Sequence, residues 1–451
     1  MQEACAIFDI LPHQIKLVVY STNYAVLYND ILATSTIDDD DGMPTVDLLE
    51  ITKWVKEHVL TLKQNADFKL KAVNFVCYGA TLVHLNAQGA PVLPLYDFKR
   101  SFGYKNRKAF LESYGGEEKL KTSLQIPEIG FEDMALQLYW VKKQKPEQYK
   151  LIKYSVSLPQ YLQSIFTQSY NAEYTSIGCH SGAWDFNSHD YAEWLKKENL
   201  HSILLPLKKA SEGQWADGVF FGHGVFNKIA DLESIKQATS GQFVLLNTGL
   251  WTVCINPFNH ATEDLHGLKQ NSFSILDGDG QAIRMARLFS GDAHNRQINY
   301  LSSHFNISED FHHNIRFDSK IIRRLRQEVH QVRPESTELG SMMDCPFMER
   351  NINTFTCIED AYHQFFMDLI AQQIASIKLT FDHQANRKIF VDGDLAKSEI
   401  FMSLLAEAMH DKAVYKIGNE HNASIGAALL IAKHWAGGKV SSETLRIELQ
   451  E

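Results

Sequence analysis

The stretch FVLLNTGLW, residues 243–251, constrains the fold of this chain more than any other segment. Its four leading apolar residues run into Asn247-Thr248-Gly249, and a second apolar run follows at residues 253–255. This pattern predicts a buried strand, a tight turn and a second strand. Gly249 tolerates a positive φ, and the successive N–H groups of such a turn can form a nest for phosphate. Taken alone, the stretch favours an ordinary hairpin over an anion site.

The composition is that of a soluble globular protein. The chain has 451 residues, of which 45% are hydrophobic and 22% are charged, so two or three domains of about 150 residues are expected. The formal net charge of −10 does not suit the backbone of a nucleic acid, and a nucleic-acid partner is not expected. The acidic run at residues 38–41 is predicted to form a solvated loop, with a cation site as the lesser alternative.

The sequence gives no sign of a membrane segment or of an oxidising compartment. No apolar run reaches the roughly 18 residues of a membrane span, and the N-terminal MQEACAIFDI lacks a signal-peptide pattern. The cysteines form no C-x-x-C pair, and they are predicted to be buried thiols in a reducing cytoplasm: Cys5, Cys77, Cys179, Cys254, Cys345 and Cys357. We therefore expect a cytoplasmic protein without a membrane partner.

Two stretches of the chain share one predicted order of elements. In the first, apolar spacing predicts a helix at 46–60 and strands at residues 6–10, 16–20, 24–28 and 71–77. The second begins with the hairpin at residue 243 and continues with helices and a strand at 388–391. This loose repeat predicts two similar α/β halves with a cleft between them.

Further elements are predicted between and after these stretches. Residues 102–170 are expected to be mostly helical, and a strand at 219–221 leads into Gly222-His223-Gly224. Asp279 is expected to cap a helix at 282–289. The remaining predicted helices lie at residues 361–380, 398–409 and 423–435, and the last has small residues in its first turns.

Four segments match one known family in the right order: YTSIGCHSGAWDF (174–186), FVLLNTGLWTVCINPF (243–258), KIFVDGDLAKSEIFMSLLA (388–406) and ASIGAALL (423–430). Through them the chain, from residue 6 to residue 435, resembles the FGGY carbohydrate kinases of the actin-like, RNase H-like ATPase superfamily. The resemblance is greatest to the bacterial branch near the rhamnulose and fuculose kinases.

The resemblance implies an α/β fold with two RNase H-like domains flanking a central cleft. Residues 1–239 would form the sugar-side domain and residues 240–451 the nucleotide-side domain. It implies ATP-dependent phosphorylation of a ketose or polyol hydroxyl, with Mg²⁺ as the metal and a carboxylate as the base. The implied partners are a small sugar and a nucleotide, and homodimers are common in the family.

The resemblance also implies roles for particular residues. Asp9 corresponds to the acid that helps to hold the metal, and Tyr78, Gly79 and Ala80 would border the sugar. The nucleotide would lie against Asn247, Thr248, Gly249, Gly393, Asp394, Ser424, Gly426 and Ala427. For the last three residues, close packing of helices explains the small side chains equally well.

The chain departs from the family where the family handles phosphate and the proton. Leu11 and Pro12 replace the Gly-Thr of the first phosphate turn, and Pro12 has no N–H, so a plain β-turn is expected. Gly224 stands at the position of the catalytic Asp, which leaves His223 as the only nearby substitute base. In the second phosphate turn, Leu250 replaces a hydroxyl residue.

Two functions from different classes are compatible with these departures. The first is a carbohydrate kinase for a ketose or polyol whose activity is weak or lost. The second is a catalytically inactive homologue, a pseudokinase, that binds a sugar, a nucleotide or a protein partner. Loss of a general base typically lowers a rate by about 10²–10⁴, and we expect phosphoryl transfer to be weak or absent. Asp394, where the family usually has glycine, adds an acid that would repel phosphate or bond a ribose hydroxyl.

Overall fold

The computed structural model describes residues 1–179, 181–327, 345–381 and 387–450. His180, in the segment 174–186, lies outside the described residues. Within these ranges no helix is both long and apolar enough to cross a membrane. All six cysteines are free thiols, and five of them are buried.

The elements follow one another in chain order. The strands are β1 (Gln2–Leu11), β2 (Gln14–Ser21), β3 (Val26–Ala33), β4 (Thr36–Asp38), β5 (Pro44–Val46), β6 (Phe68–Cys77), β7 (Leu82–Leu85), β8 (Tyr154–Ser157), β9 (Ala172–Glu173), β10 (Trp184–Asp185), β11 (Asp190–Tyr191), β12 (Leu207–Lys208), β13 (Gly213–Ala216), β14 (Val219–Gly222), β15 (Val225–Phe226), β16 (Phe243–Thr248), β17 (Thr252–Asn256), β18 (Ser272–Leu276), β19 (Ala282–Leu288), β20 (Lys388–Gly393), β21 (Ala413–Ile417) and β22 (Ile447–Leu449).

The α-helices are α1 (Leu48–Lys63), α2 (Tyr104–Tyr114), α3 (Glu117–Leu124), α4 (Met134–Gln144), α5 (Pro146–Tyr149), α6 (Leu158–Thr167), α7 (Tyr174–Ile177), α8 (Glu193–Lys197), α9 (His201–Leu204), α10 (Asn227–Ala238), α11 (Leu265–Lys269), α12 (Ser290–Phe305), α13 (Ser319–Gln327), α14 (Ile358–Thr380), α15 (Glu399–Ala408) and α16 (Asn422–Leu430). Short 3₁₀ helices lie at Glu309–His313, Pro346–Glu349, Ile352–Thr354, Leu395–Lys397 and Ala432–His434.

The chain divides into two compact units. Unit 1 comprises Met1–Ser240, Ile275–Ala282 and His421–Thr444, and unit 2 comprises Gly241–Ser274, Ile283–Glu420 and Leu445–Glu451. Helix α16 therefore belongs to unit 1, although strands of unit 2 precede it in the sequence. The chain passes from one unit to the other several times, so neither unit is a single continuous segment.

Unit 1 is built on a sheet in the order β13-β14-β6-β1-β2-β3, with β15 also paired to β6. Strand β1 pairs antiparallel with β2 and parallel with β6. The predicted order of three strands, a helix and a strand at the start of the chain is confirmed. Helix α1 covers one face of this sheet, because its buried Ile51, Val55 and Val59 pack in one core with Phe8 and Phe75.

Unit 2 repeats this arrangement on a sheet in the order β18-β19-β17-β16-β20-β21-β22. Strand β16 pairs antiparallel with β17 and parallel with β20, just as β1 does with β2 and β6. The predicted hairpin at residues 243–255 is present, and the long helix α14 buries Phe365, Phe366 and Leu369 in the core of this unit. The predicted α/β class with two sheet-containing halves is confirmed.

One predicted helix is a strand. Residues 282–288 form β19, which pairs antiparallel with β17. Its apolar residues fit a helical period as well as a strand period, and only the pairing with β17 distinguishes the two. Asp279 is not a helix cap, because its N–H donates to Asp277 Oδ1 over 3.0 Å and its carboxylate pairs with Lys209 at 3.0 Å.

Candidate functional site

The ends of three parallel strands meet at one edge of the unit 1 sheet. Ile10, the residue before the last of β1, and Phe226, the last residue of β15, both pair with Cys77, the last residue of β6. Ligand sites of α/β proteins commonly occupy this kind of edge. The structure brings the predicted metal, sugar and base residues of unit 1 to it: Asp9, Tyr78, Gly79, Ala80, His223 and Gly224.

Asp9 is an acid with an unsatisfied oxygen at the end of β1. Its Oδ1 is buried and has no hydrogen-bond partner in the described part of the chain. Burial raises the pKa of Asp9 to about 6, and the positive charges of Lys16 and Lys228 limit the rise. An acid oxygen without a partner is the kind of ligand that a divalent cation prefers.

The turn after Asp9 cannot act as a phosphate nest. Strands β1 and β2 are joined by the two residues Pro12 and His13, and Leu11 pairs with Gln14 across them. Pro12 has no N–H to donate, and the strand ladder extends up to the turn. The predicted plain β-turn is confirmed.

Gly224, which the resemblance predicts to stand at the base position, has a backbone that favours glycine. Its φ is +83°, and a Cβ built on it would lie 2.4 Å from Cβ of Pro159 and 3.2 Å from the Phe75 carbonyl oxygen. Its N–H donates to Asn74 Oδ1 over 3.1 Å. A residue with a side chain would therefore meet both a rare backbone conformation and a steric conflict.

His223 is held inside unit 1 and is a poor base. It is 3% exposed, and its Nδ1 is buried without a hydrogen-bond partner among the described residues. Burial and the nearby Lys208 lower the pKa of His223 to about 4. The main-chain N–H of His223 donates to the Glu212 carbonyl over 3.1 Å, and Gln160 Nε2 donates to the main-chain carbonyl of His223 over 2.7 Å. A pKa so far below neutrality argues against a role as general base.

A pocket of about 280 Å³ opens beside this edge. Its lining comes from the β1–β2 turn, the end of β6, the β4–β5 hairpin and the loop at 95–100. Tyr78 and Ala80, two of the predicted sugar residues, line it, while Gly79 lines a smaller cavity with Cys77 and Ser176. The Tyr78 hydroxyl has no hydrogen-bond partner among the described residues, and burial raises the pKa of Tyr78 above its usual value.

The acidic run at 38–41 holds one wall of this pocket. Arg100 donates to Asp39 over 2.6 Å and also to Asp41, and Lys145 donates to Asp40 over 2.5 Å. Asp39 is only 8% exposed. The predicted solvated loop is confirmed for Asp38, Asp40 and Asp41, which are exposed, whereas Asp39 is buried and two basic side chains from distant parts of the sequence pair with the run.

One acid near this edge was missed by sequence reasoning. Glu173 is fully buried and caps α7, where it accepts the N–H groups of Thr175 and Ser176 over 2.8 and 3.0 Å. Burial raises the pKa of Glu173 to about 7, although the hydrogen bonds from these two residues oppose the rise. Thr175 Oγ1 also accepts the N–H of Phe226 over 2.8 Å, which ties α7 to β15. Glutamate is not among the usual N-cap residues, so the sequence carried no signal for this cap.

In unit 2, the turns after β16 and β20 lie side by side. Asn247 pairs with Asp392, and Thr248 pairs with Gly393. Thr248 Oγ1 donates to the Asp392 carbonyl over 2.6 Å and accepts the Leu395 N–H over 3.0 Å. Gly393 has a φ of +92°, and a Cβ there would lie 1.8 Å from the Thr248 carbonyl oxygen. The two turns are thus joined by the hydrogen bonds of the Thr248 hydroxyl and by the close approach of Gly393 to the Thr248 carbonyl.

The tip of the first of these turns contacts the start of α12. A Cβ on Gly291 would lie 2.0 Å from the Gly249 carbonyl oxygen, so only glycine fits there. Sequence reasoning missed Gly291, for which the sole signal is a glycine at the start of a helix. Leu250 is 51% exposed beside it. The Asp394 carboxylate pairs with Lys397 at 3.1 Å.

The three small residues predicted at the nucleotide are packed inside unit 1. A Cβ on Gly426 would lie 1.7 Å from the Ala230 carbonyl oxygen, so α16 and α10 touch through their backbones. Ser424 Oγ lies 2.6 Å from the Tyr20 hydroxyl, and the Ala427 carbonyl accepts Asn74 Nδ2 over 2.9 Å. This packing accounts for the small residues without a ligand, and their nucleotide role stays a prediction.

The residues present fit Mg²⁺ and ATP only in part. The unsatisfied oxygen of Asp9 suits a cation. The turn at Pro12 and His13 does not suit phosphate, and the Thr248 hydroxyl is already bonded to the main chain on both sides. The first turn therefore lacks the N–H groups that would bind a phosphate, and the hydroxyl of the second turn already forms hydrogen bonds within the protein.

Comparisons with known proteins relate this geometry to a family. Residues 240–439 match the family described as "Carbohydrate kinase FGGY, C-terminal domain". No curated protein matches the sequence. Nothing in these comparisons supports the narrower placement near the rhamnulose and fuculose kinases.

Solved structures share the fold over the whole length of the chain. A carbohydrate kinase from Novosphingobium aromaticivorans has a TM-score of 0.80 at 17% identity, covering 100% of this chain and 94% of its own. A ligand-bound xylulose kinase from Lactobacillus acidophilus has a TM-score of 0.77 at 12% identity, covering 99% and 93%. A gluconate kinase from the same organism has a TM-score of 0.75 at 12% identity, covering 100% and 93%. Residues 240–439 are thus identified as an FGGY carbohydrate kinase C-terminal domain, and the whole chain shares the fold of these solved kinases.

Proposed function

We propose that this protein is an FGGY carbohydrate kinase homologue that binds a small sugar or polyol in unit 1 but transfers phosphate from ATP weakly or not at all. The observation that carries this proposal is that no suitable proton acceptor lies at Gly224, the predicted base position. Gly224 has no proton acceptor, its backbone disfavours any residue with one, and His223 beside it has a pKa of about 4. Without a base, the expected loss of rate is about 10²–10⁴.

The first phosphate turn supports the same proposal independently. Leu11 and Pro12 stand in a tight hairpin that offers no nest of N–H groups, and catalysis of phosphoryl transfer depends on such positioning of the phosphates. Two separate elements of the family's chemistry are therefore altered in one chain, whereas the scaffold around them is kept.

An active ketose or polyol kinase is the second candidate. Two observations favour it: Asp9 keeps an unsatisfied oxygen at the strand end, and the turn at Asn247-Thr248-Gly249 lies beside Gly393 as a nucleotide site would require. In that case Mg²⁺ would be held at Asp9, and ATP would lie against the paired turns of unit 2.

The test measures ADP release by the purified protein with Mg·ATP over a panel of ketoses and polyols. We expect release no faster with a sugar than without one. Turnover at ordinary kinase rates, roughly 1–100 s⁻¹, on any sugar would contradict the proposal and select the active kinase. The same assay on Asp9→Asn then provides the control, because a genuine metal-dependent turnover must fall in that variant.

The proposal also covers location and assembly. Six free thiols, five of them buried, support a reducing compartment such as the cytoplasm. A homodimer is proposed from the family alone, and light scattering of the purified protein tests it.

A further inference from the structure

We propose that the pocket beside the end of β6 takes a sugar or polyol that carries an apolar substituent, such as an alkyl or aryl glycoside, in preference to a bare sugar. This inference rests on the part of the proposed function that places the ligand in unit 1. It concerns the chemical class of that ligand and is independent of whether phosphate is transferred.

Several polar groups in the pocket wall are already paired within the protein. The Thr45 hydroxyl donates to the Leu95 carbonyl, and the Tyr96 hydroxyl donates to Asp40 over 3.0 Å. Arg100 is paired with Asp39 over 2.6 Å. The surface left for a ligand is therefore mainly apolar, and it is contributed by Pro12, Met43, Pro44, Val46, Leu95 and Phe98.

Only part of the lining offers polar groups that are left for a ligand. The Tyr78 hydroxyl and the His13 ring line the pocket without a hydrogen-bond partner from the described residues. Asp97 Oδ1 accepts the N–H of Lys99 over 2.7 Å, which leaves the other carboxylate oxygen of Asp97 for a ligand. These groups suit a few hydroxyls. A bare polyol that filled the pocket would also press hydroxyls against the apolar wall, where each loses water without gaining a partner.

The turn between β1 and β2 forms part of the pocket wall. Pro12, which removes the N–H that the first phosphate turn needs, is one of the residues that line the pocket. The same substitution therefore weakens a phosphate site and adds apolar surface to a ligand site. The hairpin opposite is held in place by the pairs of the acidic run with Arg100 and Lys145, so this wall is formed before a ligand arrives.

The size of the pocket limits the ligand. Its volume of about 280 Å³ lies at the lower end of the roughly 300–1,000 Å³ typical of small-molecule sites. A monosaccharide with one ring or short chain attached is of this size class.

The experiment measures binding of matched pairs by isothermal titration calorimetry with the full chain. The probes are the methyl and phenyl glycosides of xylose, glucose, fucose and rhamnose. We expect at least one phenyl glycoside to bind roughly tenfold or more tightly than its methyl partner, because the phenyl ring would be buried against the apolar wall. Equal binding within every pair, or no binding by any phenyl glycoside, would overturn the inference.

Variants locate the binding. Thr36→Trp fills the mouth of the pocket from an exposed position, and Val46→Asp places a charge on its apolar wall. Each should weaken the phenyl glycoside at least tenfold, whereas Leu49→Asp, at a residue 74% exposed and outside the pocket lining, should not. Melting temperatures check that all three variants fold. Phenyl binding that survives in both pocket variants contradicts the inference, and rapid ADP release with a bare ketose contradicts only the proposed lack of transfer.

Discussion

Gly224 gives a direct test of how firmly the base position is closed. Replacement by Asp places a side chain at a φ of +83° with Cβ 2.4 Å from Pro159, so Gly224→Asp should lower the free energy of unfolding by roughly 2–5 kcal/mol. Gly218→Asp is the matched control, because its φ is +78° but no described atom lies within 4 Å of the added Cβ. Urea denaturation of both variants measures the difference. Equal losses, or kinase activity gained in Gly224→Asp, would show that the site tolerates an acid.

Glu173 should make the stability of the protein depend on pH. Its pKa is about 7 in the folded state against 4.5 in the unfolded chain, so the folded state holds the proton more tightly. The stabilisation is complete below about pH 4.5 and is lost as the pH rises to about 7, by roughly 3 kcal/mol in total. Glu173→Gln should remove this slope.

Chemical denaturation at several values between pH 4.5 and 7.5 measures that slope. Extending the measurements to lower pH provides a control of opposite sign in Asp30→Asn, because the hydrogen bond from His58 lowers the pKa of Asp30 and its contribution is lost only as the pH falls below the ordinary value of 3.8. An unchanged slope in Glu173→Gln would mean that the buried glutamate remains ionised when the protein is folded.

At the scale of elements, Thr248 should stabilise the joined turns of unit 2 whether or not a nucleotide binds. Thr248→Val removes the hydroxyl that donates to the Asp392 carbonyl and accepts the Leu395 N–H, so both hydrogen bonds are lost. The free energy of unfolding should fall by about 1–3 kcal/mol. Thr248→Ser keeps the hydroxyl and should lose less. If Thr248→Val and Thr248→Ser lower the free energy of unfolding equally, then packing of the methyl group, and not the two hydrogen bonds, explains how Thr248 stabilises the turns.

The contact between α10 and α16 makes a second prediction at this scale. Gly426→Ala would place Cβ 1.7 Å from the Ala230 carbonyl oxygen, and the helices must separate to admit it. We expect a loss of about 1–3 kcal/mol, the usual cost of overpacking. Gly130→Ala is the control, since no described atom lies within 4 Å of its added Cβ. Thermal melts that show no difference between the two variants would refute the close contact.

The elements that could be predicted from the sequence are those whose apolar residues follow the spacing of one kind of structure, either a strand or a helix. Strands β1 and β16 have apolar runs that end in polar turns, and helices α1 and α14 have a clear helical spacing. Strand β19 could not be predicted, because its period is ambiguous and its partner β17 decides its form. The packing of the run 38–41 could not be predicted either, because Arg100 and Lys145 lie far away along the chain.

For the whole molecule, the sequence predicted the repeated α/β architecture and which strand ends carry the candidate residues. It could not predict the pocket, because the walls come from segments that are brought together only by folding. It also could not assign α16 to a unit. The segment follows strands of unit 2 in the chain, and its partners Tyr20 and Asn74 are hundreds of residues earlier.

This assignment predicts how unit 1 behaves when the chain is cut at the expected domain boundary. A fragment of residues 1–240 lacks α16 and the turns after it, so it exposes apolar surface that unit 1 buries. Trp435 is 1% exposed and contacts the Tyr24 ring at 5.6 Å, and His434 stacks on Phe220 at 3.6 Å. The loss of this helix should abolish a cooperative melting transition.

A second fragment, in which a Gly/Ser linker joins residues 421–444 to residue 240, restores the missing helix and should regain cooperative melting. Circular dichroism and calorimetry of the two fragments decide the point. If residues 1–240 alone melt as sharply as the linked fragment, α16 contributes little to unit 1, and the boundary expected from the sequence describes an independent folding unit. If only the linked fragment melts cooperatively, the C-terminal helix is an integral part of the unit that carries the pocket, because its contacts with α10 and the sheet are needed to complete that unit's core.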